Sequence, residues 1–444
     1  MASATRTYSP GEERQITWRD ILLTRTGIFS IIFILFGVWA LLASPAAYGG
    51  GTTTTFATGP QSDPRRAEIA IPTLGFVLFV GLLYVGGGLA GVAGLVSERA
   101  AWKRAGAIWL VLNGILIIPT ILVMAAAGTP GGINVVTLLQ ISVRLATPVT
   151  MGALAGIWCE RAGVVNIAIE GMMLAGACFG FITFTLLLGA GMDAKSAQFL
   201  GVMAAVFSGW VMSVLHAWLA INFKIDQIVS GTVINILALG LTSFARREVL
   251  LSSEAGRETL QPIVLPILSD IPILGPVLFE GRPIFYSMFA LLIITHIVLY
   301  YTRWGLRTRA VGENPHAADT LGINVQRMRW INVMIGGMIA GLAGAWFSLE
   351  TSGTFDDGMT GGRGFIALAA MIFGKWTPVG AFSGGLLFGF SDVLGFTFQG
   401  LNVPVPSQFV QMVPYVTTII VLAGLVGRAT APKADGVPYE KEGK

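Results

Sequence analysis

Glu170 and Asn166 stand in an apolar stretch, where an ionisable or amide side chain is expensive to keep. The segment Glu160-Arg161-Ala162-Gly163-Val164-Val165-Asn166-Ile167-Ala168-Ile169-Glu170-Gly171-Met172-Met173 opens on a charged pair, breaks at Gly163 and then turns apolar. Asn166 and Glu170 are four residues apart, so on a helix they share one face. A carboxylate within a membrane-spanning helix costs about 2.5–3.5 kcal/mol even on lenient insertion scales. It therefore either lines a wet path for a polar solute, or sits near the interface, paired with Arg161 or the backbone. Arg144 poses the same question in its own span, where Pro148 one turn later frees a carbonyl for it. An Arg144–Glu170 pair across adjacent helices is a further option. Asn166, Glu170 and Arg144 are the candidate translocation path.

Other chemistry is excluded more readily. Neither GxxxxGK[ST] nor HExxH occurs, and His216, His296 and His316 are far apart with no companion motif. No nucleophile–base set stands out. Cys159 and Cys178 have no metal-ligand spacing, and one at a membrane edge and one in mid-span do not suit a disulfide. Gly86-Gly87-Gly88-Leu89-Ala90-Gly91 matches GxGxxG but lies inside an apolar span rather than between a strand and a helix. Close helix packing accounts for it, as for Gly337/Gly341 and Gly385/Gly389. No Lys/Arg-rich face for nucleic acid is visible.

A second informative stretch is residues 303–329, RWGLRTRAVGENPHAADTLGINVQRMR, a basic polar island between apolar runs. Asn314 suits a helix N-cap and Pro315 the first helical position, where no amide donor is needed. Ala317, Ala318 and Leu321 continue the turn, and Gly322 stands where a left-handed stop is usual. This predicts a short capped helix, either a docking element for a partner or a connector that contains a turn. In the first case Ala317 and Ala318 form the small apolar face that docks.

The elements around these residues follow from composition. Of 444 residues, 54% are hydrophobic and 12% charged, and mean hydropathy is +0.73. A soluble domain carries about 25% charge, so the chain reads as an all-α polytopic membrane protein. Spans are predicted at about 21–43, 70–96, 105–127, 134–157, 164–189, 197–220, 226–245, 284–302, 330–350, 379–400 and 406–427. The first also admits a secretory-signal reading, but its length favours an uncleaved span. The apolar piece 364–376 is short of the roughly 20 residues a crossing needs and reads as a half-span or re-entrant turn, giving about 11–12 transmembrane helices. Pro262, Pro266, Pro272 and Pro276 forbid a regular helix through 246–283. With both termini cytoplasmic, 19 Lys and Arg residues fall inside and eight outside, Arg144 being in a span. That excess fits the positive-inside rule.

Four stretches carry a resemblance: ERAGVVNIAIEGMMLAGA (160–177), GLRTRAVGENPHAADTLGIN (305–324), GRGFIALAAMIFGKWTPVGA (362–381) and LVGRATAPKADGVPYEKE (425–442). Through them the chain resembles the permease subunits of bacterial ABC importers in the branched-chain amino acid/ribose permease superfamily, most closely the purine-nucleoside (guanosine-type) branch. The likeness covers about 134–442. It implies a permease core over 131–430 that includes loop 303–329, a cytoplasmic tail over 431–444, and an added N-terminal part over 1–130 with about three spans. It also implies nucleoside import through the bacterial inner membrane by alternating access, with a simple sugar or other small neutral solute as the alternative cargo. The implied partners are an ABC ATPase that carries the ATP and Mg, a second homologous permease, an extracytoplasmic solute-binding lipoprotein and membrane lipid. This chain would itself bind no cofactor and would not be the enzyme. Gly312, Glu313, Asn314, Pro315, His316, Ala317, Ala318, Leu321 and Gly322 would then form the coupling helix in a groove of the ATPase. An ion-driven secondary transporter is the rival class, resting on Glu170 and Asp392 alone.

Overall fold

The computed structural model describes residues 24–59, 67–97, 99–129, 132–251, 258–400, 412 and 430–441. Among them ten helices are long and apolar enough to cross a membrane, with one shorter apolar helix at Arg363–Phe373. The predicted span at 406–427, residue 412 apart, lies outside the described residues, as does all of 1–23. The chain divides into two compact units, the first running to Val135 and the second essentially from Val136 onward.

The first unit holds α1 (Arg25–Ala47), α2 (Thr73–Val96) and α3 (Ala100–Ala125), with strands β1 (Thr53–Ala57), β2 (Glu68–Pro72) and β3 (Ile133–Asn134). The strands are ordered β2-β1-β3, antiparallel in the first pairing and parallel in the second. The glycine run on α2 packs as expected: a Cβ at Gly88 would meet the Ser30 carbonyl of α1, and one at Gly87 would meet Asn113 of α3. Tyr84 stacks on Phe33 with ring centroids 5.7 Å apart, and its hydroxyl lies 2.9 Å from Thr120 Oγ1. That bond satisfies the one polar group in an otherwise apolar contact.

The second unit begins with α4 (Val135–Glu160), α5 (Ile169–Gly189), α6 (Ala194–Ala217) and α7 (Gln227–Ala245). After α7 come β4 (Ile263–Val264), the short α8 (Leu274–Leu278) and β5 (Glu280–Gly281), so the proline-rich stretch forms a small antiparallel pair and one turn of helix. Then follow α9 (Pro283–Tyr301), α10 (Arg303–Glu313), α11 (Pro315–Thr320), α12 (Val325–Ala345), α13 (Arg363–Phe373) and α14 (Pro378–Gly400). α6, α7 and α12 each widen into a π turn at their ends, over Trp218–Asn222, Arg246–Leu250 and Trp346–Ser352.

At the centre, α12 packs on α5 and α6 through glycines. A Cβ at Gly337 would strike Ser213 and the Gly209 carbonyl, and one at Gly176 would strike the Gly341 carbonyl. Such backbone-to-backbone approach is how helices associate in lipid, where apolar burial alone gives little drive. Gly385 and Gly389 of α14 pack against Thr150 and Ala146 of α4 in the same way. Cys159 and Cys178 are both free and buried.

Candidate functional site

The carboxylate of Glu170 is built into the start of a half-length helix. Thr360 Oγ1 donates to its Oε1 (2.6 Å), as does the Gly362 amide (2.8 Å), and the Gly364 amide donates to Oε2 (2.6 Å). Gly362 caps α13, with φ +79°, a left-handed value glycine takes without steric penalty. Gly353, Gly358 and Gly361 before it also take positive φ. Glu170 therefore accepts the orphan donors at the N-terminus of α13, where the helix dipole favours negative charge. The side chain is half-buried.

Its depth can be estimated. α13 has 11 residues, about 16 Å at 1.5 Å per residue. Just beyond its other end, Trp376 Nε1 donates to Glu160 Oε2 (2.6 Å), at the end of α4. Glu170 thus lies roughly half a hydrocarbon thickness above Glu160. α13 is the half-span expected of 364–376, a broken helix of the kind transporters place at their solute path. Here the chain's own carboxylate occupies the positive end. Arg363, one residue inside α13, pairs with Asp392 of α14 at 3.1 Å, and Arg246 at the end of α7 holds Asp356 at 2.9 Å. The glycine loop 353–362 is fastened on both sides.

The three candidate path residues do not form one cluster. Asn166 is fully buried and is not on a helix face with Glu170, because α5 starts only at Ile169. Its Oδ1 accepts from the Ala168 amide (3.1 Å) and its Nδ2 points at Cys159 Sγ (3.3 Å). That local turn competes with helix and delays its start. Arg144 donates to the Glu280 carbonyl (2.8 Å) instead of to Glu170. Arg161 does not pair with Glu170 either; it donates to the carbonyls of Trp376 (3.0 Å) and Lys375 (3.3 Å).

Residues 303–329 fold into two helices rather than one. α10 starts directly after α9, with the Thr302 hydroxyl accepting from Gly305 N (3.3 Å). α11 is capped as expected: Asn314 Oδ1 accepts from the Ala317 amide (3.1 Å), Pro315 is the first helical residue, and Gly322 has φ +79°. The docking face differs from expectation. Ala318 is buried with Val311, Val325, Met328 and Tyr439, because it closes a small core under the loop. Leu321 is 80% exposed, and Ala317, Glu313 and His316 are also exposed. Gly312 is buried, where a Cβ would meet the Arg161 carbonyl. Asn332 of α12 ties α10 down: its Nδ2 donates to Thr308 Oγ1 (3.3 Å), and Trp304 Nε1 donates to its Oδ1 (3.4 Å).

Asn314→Ala should cost about 1 kcal/mol of local helix stability. Gly322→Val should strain the left-handed stop. Both are expected to speed hydrogen exchange at 316–320 while leaving protection in α12 unchanged.

Sequence reading did not foresee that the tail straps this region. The Ala434 amide donates to the Gly312 carbonyl (2.9 Å), and Arg329 Nη1 to the Val437 carbonyl (2.9 Å). The Tyr439 ring lies 5.3 Å from that of His316, and Lys441 approaches Asp319 at 3.9 Å. Asp435 sits against Glu160, and burial pushes its carboxyl up to about 7, although Glu160, Arg329 and the Gly436 amide pull the other way. An acid raised by folding holds its proton more tightly in the folded state. The strap should therefore loosen as pH rises between about 4 and 7, by up to about tenfold per pH unit. Exchange protection at 434–437 is expected to be higher at pH 5.5 than at pH 8, and Asp435→Asn should flatten that difference. Among the described residues no group of three metal-ligating side chains occurs.

Comparison with known proteins places this architecture. Residues 137–422 match the family model described as the branched-chain amino acid transport system / permease component. The guanosine ABC transporter permease protein NupQ of Bacillus subtilis (strain 168) is 43% identical over 303 residues, 67% of this chain and 94% of that protein. The nucleoside ABC transporter permease protein NupC of Lactococcus lactis subsp. cremoris (strain MG1363) is 42% identical over 318 residues, 69% of this chain and 99% of that protein. The putative glucose ABC transporter permease protein TsgC13 of Haloferax volcanii is 35% identical over 310 residues, 66% of this chain and 92% of that protein. No solved structure matches.

Proposed function

The chain belongs to the branched-chain amino acid transport system / permease component family, and on that premise we propose that it is the nucleoside-conducting permease subunit of an ATP-driven importer in a bacterial plasma membrane. The observation that carries the substrate class is the 43% identity to a guanosine permease across nearly that protein's whole length. A putative glucose permease at a lower identity of 35% makes a simple sugar the second choice.

In this reading ATP and Mg belong to a separate ATPase, a second homologous permease completes the pore, and a solute-binding lipoprotein delivers the cargo from outside. α11 docks on the ATPase through Leu321 and Ala317, with Glu313 and His316 alongside. Its movement passes into α12 through the small core that Ala318 shares with Val325 and Met328, and through α10, whose Thr308 and Trp304 bond Asn332. The glycine contacts of α12 with α5 and α6 leave no slack, so α12 and α5 shift together. Glu170, in the first turn of α5, carries that shift to the start of α13. Alternating access would then be a rearrangement of α13 and the glycine loop around the carboxylate.

The test is uptake of labelled guanosine, adenosine, uridine and ribose by the complete complex in proteoliposomes. Nucleosides should accumulate and ribose should not. Ribose accumulation without nucleosides would transfer the assignment to sugar import.

A further inference from the structure

A second polar site lies toward the opposite end of the bundle from α11. A cavity of about 210 Å³ is lined by Arg144, Arg282, Glu350, Phe285 and Trp346, among others. Its polar members are anchored from behind. Arg144 donates to the Glu280 carbonyl at 2.8 Å, and Arg282 donates to the Glu350 carbonyl. Glu350 accepts from the amides of Ile284 (2.6 Å) and Phe285 (3.1 Å) at the start of α9. A guanidinium has five donors and a carboxylate about four acceptor sites, so these bonds do not saturate Arg144 and Glu350, both of which line the cavity. Phe285 and Trp346 supply flat apolar walls. The volume is below the roughly 300–1,000 Å³ of whole-ligand pockets, which suits a single ring system rather than an entire nucleoside.

We propose that this cavity is a selectivity site for the base of a 6-oxopurine nucleoside, with Arg144 donating to the O6/N7 edge and Glu350 accepting from N1–H and the 2-amino group. The inference rests on the nucleoside reading above and assigns the base preference to this chain. A planar guanidinium fork fits two adjacent acceptors as an ammonium cannot. Adenine offers N7 but a donor at position 6, so it forfeits half of that contact. Buried polar groups left unmatched are what make such a site selective.

The experiment is ATP-dependent uptake of guanosine, inosine, adenosine and uridine by the complete complex carrying wild-type chain, Arg144→Met or Arg144→Lys. Arg144→Met should lower kcat/KM for guanosine and inosine by roughly tenfold and for adenosine, which keeps only the N7 half of the contact, by about threefold, and change uridine by less than twofold. Arg144→Lys keeps the charge without the fork and should move the same way by less. It carries the test if the methionine variant fails to reach the membrane. An equal loss for all four nucleosides, or no loss for any, would overturn the proposal and reduce Arg144 to a support for Glu280. Uptake of no nucleoside by the wild-type complex is a different failure, because it removes the nucleoside reading itself.

Discussion

Glu170→Leu is expected to abolish uptake and to lower the stability of the second unit by about 2–5 kcal/mol. The side chain accepts three hydrogen bonds from Thr360, Gly362 and Gly364. Removing the acceptor strands three donors, each worth about 1–3 kcal/mol when desolvated, and water at a half-buried site recovers part of that. Glu170→Gln keeps the shape but turns one acceptor into a donor aimed at other donors, so it should lie between wild type and leucine. Thermal melts in detergent together with uptake measure both effects. A glutamine variant with wild-type melting and wild-type uptake would mean that the carboxylate neither holds α13 nor takes part in transport.

The second large effect is expected at α11. Ala317→Asp with Leu321→Asp puts two charges on residues that are exposed, without entering the small core that Ala318 closes. Folding and membrane abundance should stay near wild type, because surface changes away from packed groups usually cost less than 0.5 kcal/mol. Co-purification of the ATPase should drop at least tenfold, as expected when a buried contact gains an unpaired charge, and uptake should fall with it. Ala318→Asp is the contrasting control, since a charge there enters the core and should reduce abundance itself. If the exposed double variant keeps its ATPase and its uptake, residues 303–329 are only a connector.

The ten described spans were legible in the sequence because a bilayer crossing demands about 20 apolar residues, and the α11 caps because Asn314, Pro315 and Gly322 act locally, on backbone within a few residues of themselves. α10 was not. Its inward face is Gly305, Thr308, Val311 and Gly312, mostly small residues that give helical spacing without a hydropathy signal. Asn166 misled for a related reason: four-residue spacing means a shared face only on a helix, and its side chain holds the backbone out of one. The partners of Glu170 lie about 190 positions away and are mainly backbone amides, which carry no residue signature beyond the glycines of 358–364. The tail reads as a polar end, yet Ala434 and Tyr439 are buried in it.

The central claim is that this chain conducts nucleoside only when a separate ATPase drives it. The most direct measurement is guanosine accumulation in proteoliposomes containing the chain with its ATPase, second permease and binding protein, with ATP and Mg supplied to the ATPase and ion gradients collapsed by ionophores. The account predicts accumulation that requires ATP, survives the ionophores and is lost when the ATPase is omitted. Accumulation that persists without the ATPase and vanishes with the ion gradient would make the chain a secondary transporter and contradict the account.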